Sequence, residues 1–581
     1  MTAREASPYD GPMEPAQRID QRLRWLYGEE VGARTARRLL ERLSPLTVSE
    51  PLLDPRQRRL PFDQRDVVLI TYGDSLLFDG EPTLATLRRF AVERLKGTIS
   101  TIHLLPFFPF SSDDGFSVTD FHAVNPRLGE WSDVQRLGQD FRLTFDFVLN
   151  HVSRQSDWFG RYLARDPAFA ELALEVNPGA DLSAVVRPRA LPLLTPVRRP
   201  DGTQVHLWTT FSADQIDLNF RSPEVLLTMV EVMLHYVRCG AEMLRLDAVG
   251  FLYKELGTSC MHLPPTHEVI RLLRDVLDLV APRVALLTET NVPHAQNVSY
   301  FSDGYDEAQL VYNFSLPPLL LHALTTSSTT DLTRWARTLS VPSPATTFFN
   351  FTASHDGIGV RPLEGLLRPE AIEALAELCQ RRGGRVSYRE MAGRQVPYEL
   401  NVTYLDALRG SDAEPGDRHQ VQRFLASQAM ALALPGVPAI YVGSLLGSRN
   451  WQEGVQQTGA PRTINRRRLS LSQVEAELAR AGSPAARVFD GLCRLIRVRT
   501  AQPAFDPGAA MELLELDPRC FAIRRTCRRQ TLLALCNVSR DRFEVDLPGG
   551  AWVDALGGDG SSCQCVRLEP YQAAWLTEVE R

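Results

Sequence analysis

Eight short apolar runs, at residues 67–72, 99–105, 143–149, 243–247, 284–288, 310–314, 347–352 and 439–442, are each followed by sequence of helical periodicity. Eight repeats of a buried-looking strand and a helix predict a (β/α)8 TIM barrel of the α/β class. The alternative is a doubly wound open sheet. No G-x-G-x-x-G follows the first run, which weakens a dinucleotide-binding version of that alternative. At ~150 residues per domain, 581 residues amount to about four domains, but one large barrel with insertions uses the same length.

Composition excludes several classes. Hydrophobic residues make up 44% and charged residues 23%, which rules out a largely disordered or fibrous chain. Lys+Arg 64 against Asp+Glu 70 gives a net charge of −6, which argues against nucleic acid or an anionic membrane as the main partner. Lys96 and Lys254 are the only lysines, a usage that fits a GC-rich genome. The nine cysteines form no CxxC pair, and Cys563/Cys565 is a poor chelate; scattered free thiols fit a reducing cytoplasm. The polar segment 1–15 has no apolar signal region, and the apolar stretch 429–442 is cut by Pro435 and Pro438. From these features a cytoplasmic protein without a membrane partner is expected.

Five segments follow from the pattern. Residues 1–60 form an N-terminal extension, with 1–15 disordered and helical spacing over 16–45 (Ile19, Leu23, Leu26, Val31, Leu39, Leu40, Leu43). Residues 61–500 form the catalytic barrel. Two gaps are too long for ordinary connections: 151–220 reads as an inserted domain after the third strand, and 357–427 as an inserted loop region after the seventh. Both leave the carboxyl ends of strands, where barrel enzymes build their sites. Residues 505–581 alternate short strand-like runs with turn residues and read as an antiparallel β domain.

Charged groups cluster where four strands stop. The third ends Asp146-Phe-Val-Leu-Asn150-His151, the fourth Arg245-Leu-Asp247, the fifth Thr288-Glu289-Thr290 and the seventh Ser354-His355-Asp356. Polar residues on buried strands are costly unless satisfied, and at the catalytic face of a barrel they read as catalytic. Three carboxylates with an arginine beside one of them point to glycosyl transfer, which needs one carboxylate as nucleophile and another as acid/base. On this reading Arg245 holds Asp247 ionised. Burial and nearby negative charge keep Glu289 protonated, and His151 and His355 bond sugar hydroxyls. No His/Cys set has metal-ligand spacing.

The four segments resemble the signature regions of the α-amylase superfamily, glycoside hydrolase family 13. "RLDAVGFLYKELGTSC" (245–260), "LPPLLLHAL" (316–324), "ASHDGIGVRP" (353–362) and "RTINRRRL" (462–469) are similar to its sucrose-phosphorylase subfamily, from about Val67 to the C-terminus. The resemblance implies a hexosyltransferase that moves a glucosyl unit from an α-glucoside to inorganic phosphate through a covalent β-glucosyl-enzyme. It implies Asp247 as nucleophile, Glu289 as acid/base and Asp356 as transition-state stabiliser. Asp74, His122, Arg245, His355 and Arg466 would line the glucose subsite, while Arg189 and Tyr398 would help bind phosphate. The small-molecule partners would be the glucoside and phosphate. No cofactor is implied; calcium, often bound in the wider superfamily by the asparagine matching Asn150, is absent from the phosphorylase branch.

The acceptor is set by departures from the subfamily. Asn291 stands where sucrose phosphorylases usually carry histidine, and the "IGV" segment continues as Arg361-Pro362. The segments 103–121, 397–408 and 443–459, with the longer N-terminus, look more like the glucosylglycerate phosphorylase branch. Glycerate carries a carboxylate, so its subsite needs a cation; Arg361, Arg385, Arg394 and Arg449 lie in loops able to supply one. Sucrose, glucosylglycerol and sucrose 6-phosphate stay open as alternatives. So does an α-glucoside hydrolase or transglucosidase on the same scaffold. A catalytically silent barrel is disfavoured, since all three carboxylates are present.

Overall fold

A strand buried on both faces must have its edges paired and both faces covered. In the computed structural model eight parallel strands meet that demand by closing on themselves. They are β1 (Val68–Thr71), β2 (Thr101–Leu104), β3 (Arg142–Val148), β4 (Ala241–Asp247), β5 (Ala285–Thr288), β6 (Leu310–Tyr312), β7 (Thr347–Phe351) and β8 (Val437–Tyr441). The strands neighbour one another in chain order, and β1 pairs with both β2 and β8. This closure excludes the doubly wound sheet, and the eight strands coincide with the eight apolar runs. The structure describes residues 13–48, 56, 58–188, 191–391, 393–410, 417, 419–557 and 560–579. The disorder expected for 1–15 lies, over 1–12, outside the described residues.

Helices Thr83–Leu95, Trp131–Gly138, Pro223–Arg238, Pro264–Val280, Leu316–Thr326, Gln420–Ala433 and Pro484–Thr500 surround the barrel. After β5 there is only a short turn, His294–Asn297, run into a 3-10 turn, Val298–Phe301. The helical turn ends there because Ser302 takes a positive φ, 51°, which no right-handed helix allows.

Two helices precede the barrel, α1 (Pro15–Tyr27) and α2 (Glu29–Leu43), hinged at Gly28 with φ 80°. Their apolar faces, with Ile19, Leu23, Leu39 and Leu43, are buried. They dock on α3 (Pro264–Val280), where Arg18 Nε lies 2.6 Å from Asp275 and Arg22 Nη1 lies 3.0 Å from Glu268. Ion pairs this well covered bind the extension to the barrel wall.

The long connections leave the carboxyl ends of β3 and β7. After β3, His151–Ser153 pairs with Gln215–Asp217 and Leu194–Arg198 with Gln204–Trp208. After β7, Arg394–Asn401 pairs on one side with Ile358–Gly359 and on the other with Arg385–Met391. The C-terminal region is a five-stranded antiparallel sheet with a separate pair, Phe543–Asp546 and Cys565–Leu568. Alternate residues of this sheet take opposite sides, as strand pleating requires. Phe521, Ile523 and Leu532 join the barrel core, whereas Ala522, Leu533 and Leu535 form a core of their own. Among the described residues no helix is long and apolar enough to cross a membrane.

Candidate active site

Strand register assembles the first part of the site. β3 and β4 pair with Asp146 opposite Arg245 and Val148 opposite Asp247. The Arg245 guanidinium donates to Asp146 and, at 2.8 Å, to Asp247; its other nitrogen is 3.9 Å from Glu289 at the end of β5. His103 on β2 bonds Asp146 at 2.8 Å. Burial raises the Asp146 carboxyl, but Arg245 and His103 outweigh it and hold the group below the usual range. Ala248, next to Asp247, has φ 51°, and its N–H donates to Glu289 at 3.2 Å. A left-handed alanine is costly backbone, kept here where it joins the two carboxylates.

Opposing influences act on Asp247. Burial and the carboxylates of Glu289, Asp146 and Asp356 raise its pKa well above the ordinary value, despite the Arg245 bond. Glu289 is raised as well, by burial and then by Asp356 against the pull of Arg245. The Glu289 charge opposes ionisation of Asp247, and carboxyls that interact in this way titrate as a unit. The direct 2.8 Å guanidinium bond to Asp247, against 3.9 Å to Glu289, favours the proton on Glu289.

At the end of β7, Asp356 lies 2.6 Å from Arg462 and 3.4 Å from Arg466. Burial raises its carboxyl, but Arg462, His355 and Arg466 overcome this and hold it far below the usual range. The contacts extend into a ladder of alternating charge. Glu399 is gripped by both prongs of Arg462, at 2.9 and 2.6 Å, and Arg462 meets Asp356. Arg466 then joins Asp356 to Asp114, at 2.8 Å, and Arg468 joins Asp114 to Asp74, at 3.3 and 3.0 Å. Beside the ladder, His355 is stacked on Phe116 with ring centroids 4.8 Å apart. Burial pushes its imidazole down to about 3, so it is neutral at pH 7.

The strand ends surround a pocket open to solvent. It holds Asp247, Glu289, Asp356, Arg245, His151, His355, Arg361 and Tyr398, eight of the residues singled out in the sequence. Three others stand elsewhere. His122 is half exposed, beside His235 and Trp131 and away from the pocket, because its loop turns the ring outward. Asp74 is held 3.0 Å from Arg468 at the far end of the ladder. Arg466 backs Asp356 from an adjoining chamber. Arg189 lies outside the described residues. Arg449 is bound to Asp406 at 2.6 Å.

Sequence reasoning missed Asp113, Gln215, Glu399 and Arg462, all of which line the pocket. A local signal existed for the first: Asp113 and Asp114 precede Gly115 in the loop after β2, and both have positive φ, 53° and 49°. Glu399 and Arg462 stand in segments already quoted, but nothing local shows that they meet.

A buried ammonium lies behind the pocket. Lys254 Nζ is 2.9 Å from Asn150 Oδ1 and 2.7 Å from Asp217. These are hard oxygen donors of the kind that bind calcium, and here a side chain of the protein satisfies them. Among the described residues no group of three His, Cys, Asp or Glu is placed to hold a metal ion.

Residues 95–356 match the family model "Alpha amylase, catalytic domain". A glucosylglycerate phosphorylase of Allomeiothermus silvanus is 45% identical, over 97% of this chain and 99% of that one. The chain belongs to the α-amylase superfamily, glycoside hydrolase family 13. A glucosylglycerate phosphorylase of Spirochaeta thermophila is 47% identical over 92% of this chain and 91% of its own. The crystal structure of sucrose 6F-phosphate phosphorylase from Thermoanaerobacter thermosaccharolyticum superposes with a TM-score of 0.73. It covers 87% of this chain and 98% of that one at 24% identity, a likeness of fold. The α-amylase barrel of this chain thus carries its acidic groups at the strand ends and a cationic wall beside them.

Proposed function

We propose that this chain is a retaining phosphorylase that transfers glucose from glucosylglycerate to inorganic phosphate, releasing α-glucose 1-phosphate. The observation that carries the acceptor assignment is Arg361. It lines the pocket, and among the described residues its Nε is buried without a hydrogen-bond partner and its Nη1 reaches only the Met261 thioether, at 3.9 Å. Burial pushes its pKa below the usual range, the behaviour of a cation short of a counterion. A carboxylate or phosphate supplies that counterion, and the planar guanidinium fork suits either. The names of the full-length relatives support the same substrate.

In the first step an Asp247 oxygen attacks the glucosyl C1. The C1–O bond to glycerate breaks, and the proton on Glu289 passes to the departing oxygen. Asp356, kept anionic by Arg462 and Arg466, binds sugar hydroxyls, with neutral His355 and His151 beside it. In the second step a phosphate oxygen attacks C1 from the vacated side. The ester bond to Asp247 breaks, its electrons return to the carboxylate, and the phosphate proton passes to Glu289. Two inversions retain the configuration. Phosphate sits against Arg361 and Tyr398.

The test is incubation with phosphate and, separately, glucosylglycerate, sucrose and glucosylglycerol, followed by assay of α-glucose 1-phosphate. Release from glucosylglycerate is expected. Release from sucrose or glucosylglycerol alone overturns the acceptor, and phosphate-independent glucose from any of them makes the enzyme a hydrolase.

A further inference from the structure

A second polar atom in the same pocket has nothing to bind. Asn291, two residues after Glu289, lines the pocket, and its Oδ1 is buried without a hydrogen-bond partner among the described residues. A buried carbonyl oxygen left unpaired is costly and calls for an explanation. The amide is held in place by the backbone opposite. Gly359 approaches so closely that a Cβ at that position would lie 2.5 Å from Asn291 Oδ1 and 2.6 Å from its Nδ2. Gly359 belongs to Ile358–Gly359, which is paired with the strand carrying Tyr398 and Glu399. Arg361 follows two residues later, and its Nε is likewise buried without a partner among the described residues, as are Arg245 Nε and His355 Nδ1 of the same pocket.

The two orphan groups differ in kind. Asn291 Oδ1 accepts a hydrogen bond, and the Arg361 fork donates. A ligand that satisfies both carries a hydroxyl and an anionic group within one small skeleton. On the glucosylglycerate reading above, on which this inference rests, the glycerate leaving group has both: a carboxylate, and a hydroxyl that does not bear the glucose. We propose that Asn291 is the residue that reads this free hydroxyl, while Arg361 reads the carboxylate. Gly359 is the small residue that lets the amide stand there. Phosphate uses the arginine and depends less on the amide, since its dianion has one O–H and many acceptor oxygens.

Acceptor competition in the synthetic direction separates the two readers. α-Glucose 1-phosphate is supplied with D-glycerate, with D-lactate, which keeps the carboxylate but lacks one hydroxyl, or with glycerol, which lacks the carboxylate. The wild type is expected to prefer glycerate over lactate by about tenfold or more in kcat/KM. Asn291→Ala is expected to shrink that preference to about threefold or less while keeping glycerate ahead of glycerol. Arg361→Ala is expected to do the reverse. Gly359→Ala, which crowds the amide, is expected to follow Asn291→Ala. An unchanged glycerate-to-lactate ratio in folded Asn291→Ala overturns the inference. A wild type that does not glucosylate glycerate overturns the underlying reading instead, so the two failures are distinct.

Discussion

Lys254 Nζ lies 2.7 Å from the Asp217 carboxylate, with both side chains buried. A buried pair of this kind leaves an uncompensated charge when one partner is removed, a loss of about 3–5 kcal/mol. Lys254→Met is therefore expected to lower the melting temperature strongly. Because the ammonium satisfies Asn150 and Asp217, wild-type activity is expected to survive exhaustive dialysis against EDTA. Loss of activity that calcium restores refutes this.

The proposed roles of Asp247 and Glu289 predict different kinetic losses. Asp247→Asn is expected to lose about 10⁴-fold or more in kcat, since no ester can form. Glu289→Ala is expected to lose about 10²–10⁴-fold with glucosylglycerate, whose leaving oxygen needs a proton. With α-glucosyl fluoride, whose leaving group needs none, glucosylation by Glu289→Ala should slow by less than about tenfold. Equal loss with both substrates would remove Glu289 from the acid role.

His355 makes stability depend on pH. Its folded pKa is near 3, depressed from 6.5 first by burial, so the unfolded chain takes up a proton that the native site refuses. The stabilisation is complete above about pH 6.5 and is lost as pH falls toward 3. Between pH 6.5 and 5 the wild type should lose about 2 kcal/mol relative to His355→Asn. Denaturant melts of both proteins at the two pH values measure this, and parallel curves contradict it.

Removing the arginines of α1 should affect the fold more than the chemistry. Arg18 and Arg22 both reach Asp275, which is buried and already raised by desolvation. The double substitution Arg18→Ala/Arg22→Ala is expected to cost about 3–5 kcal/mol of stability. KM for glucosylglycerate should stay within about twofold, because α1 packs on the outside of the barrel. A large KM change with an unchanged melting temperature would reverse this assignment.

Part of the site was legible because strand ends are local. Asp247, Glu289 and Asp356 each follow a run long enough to be buried, and a closed barrel brings such ends to one rim. Asp74 also follows a barrel strand, yet its side chain meets Arg468, while Asp113, on a later loop, enters the pocket. His122 had no strand end to position it, and its ring lies outside the pocket. Loop residues have no periodicity that reports where they point.

By itself, the sequence determined the order of strands and helices, the barrel and the carboxyl ends at which acidic groups gather. Burial on both faces leaves a continuous apolar signature that needs no knowledge of partners. Only the tertiary structure decided which charges meet. Arg466 and Asp114 are 352 residues apart and bond at 2.8 Å, and Arg462 joins Asp356 to Glu399 across two loops. Such pairings depend on how the connections fold over the rim, where closing a long loop adds only slowly to the entropic cost. The same closure left Arg361 Nε and Asn291 Oδ1 without partners among the described residues, and on the reading proposed above a ligand meets them.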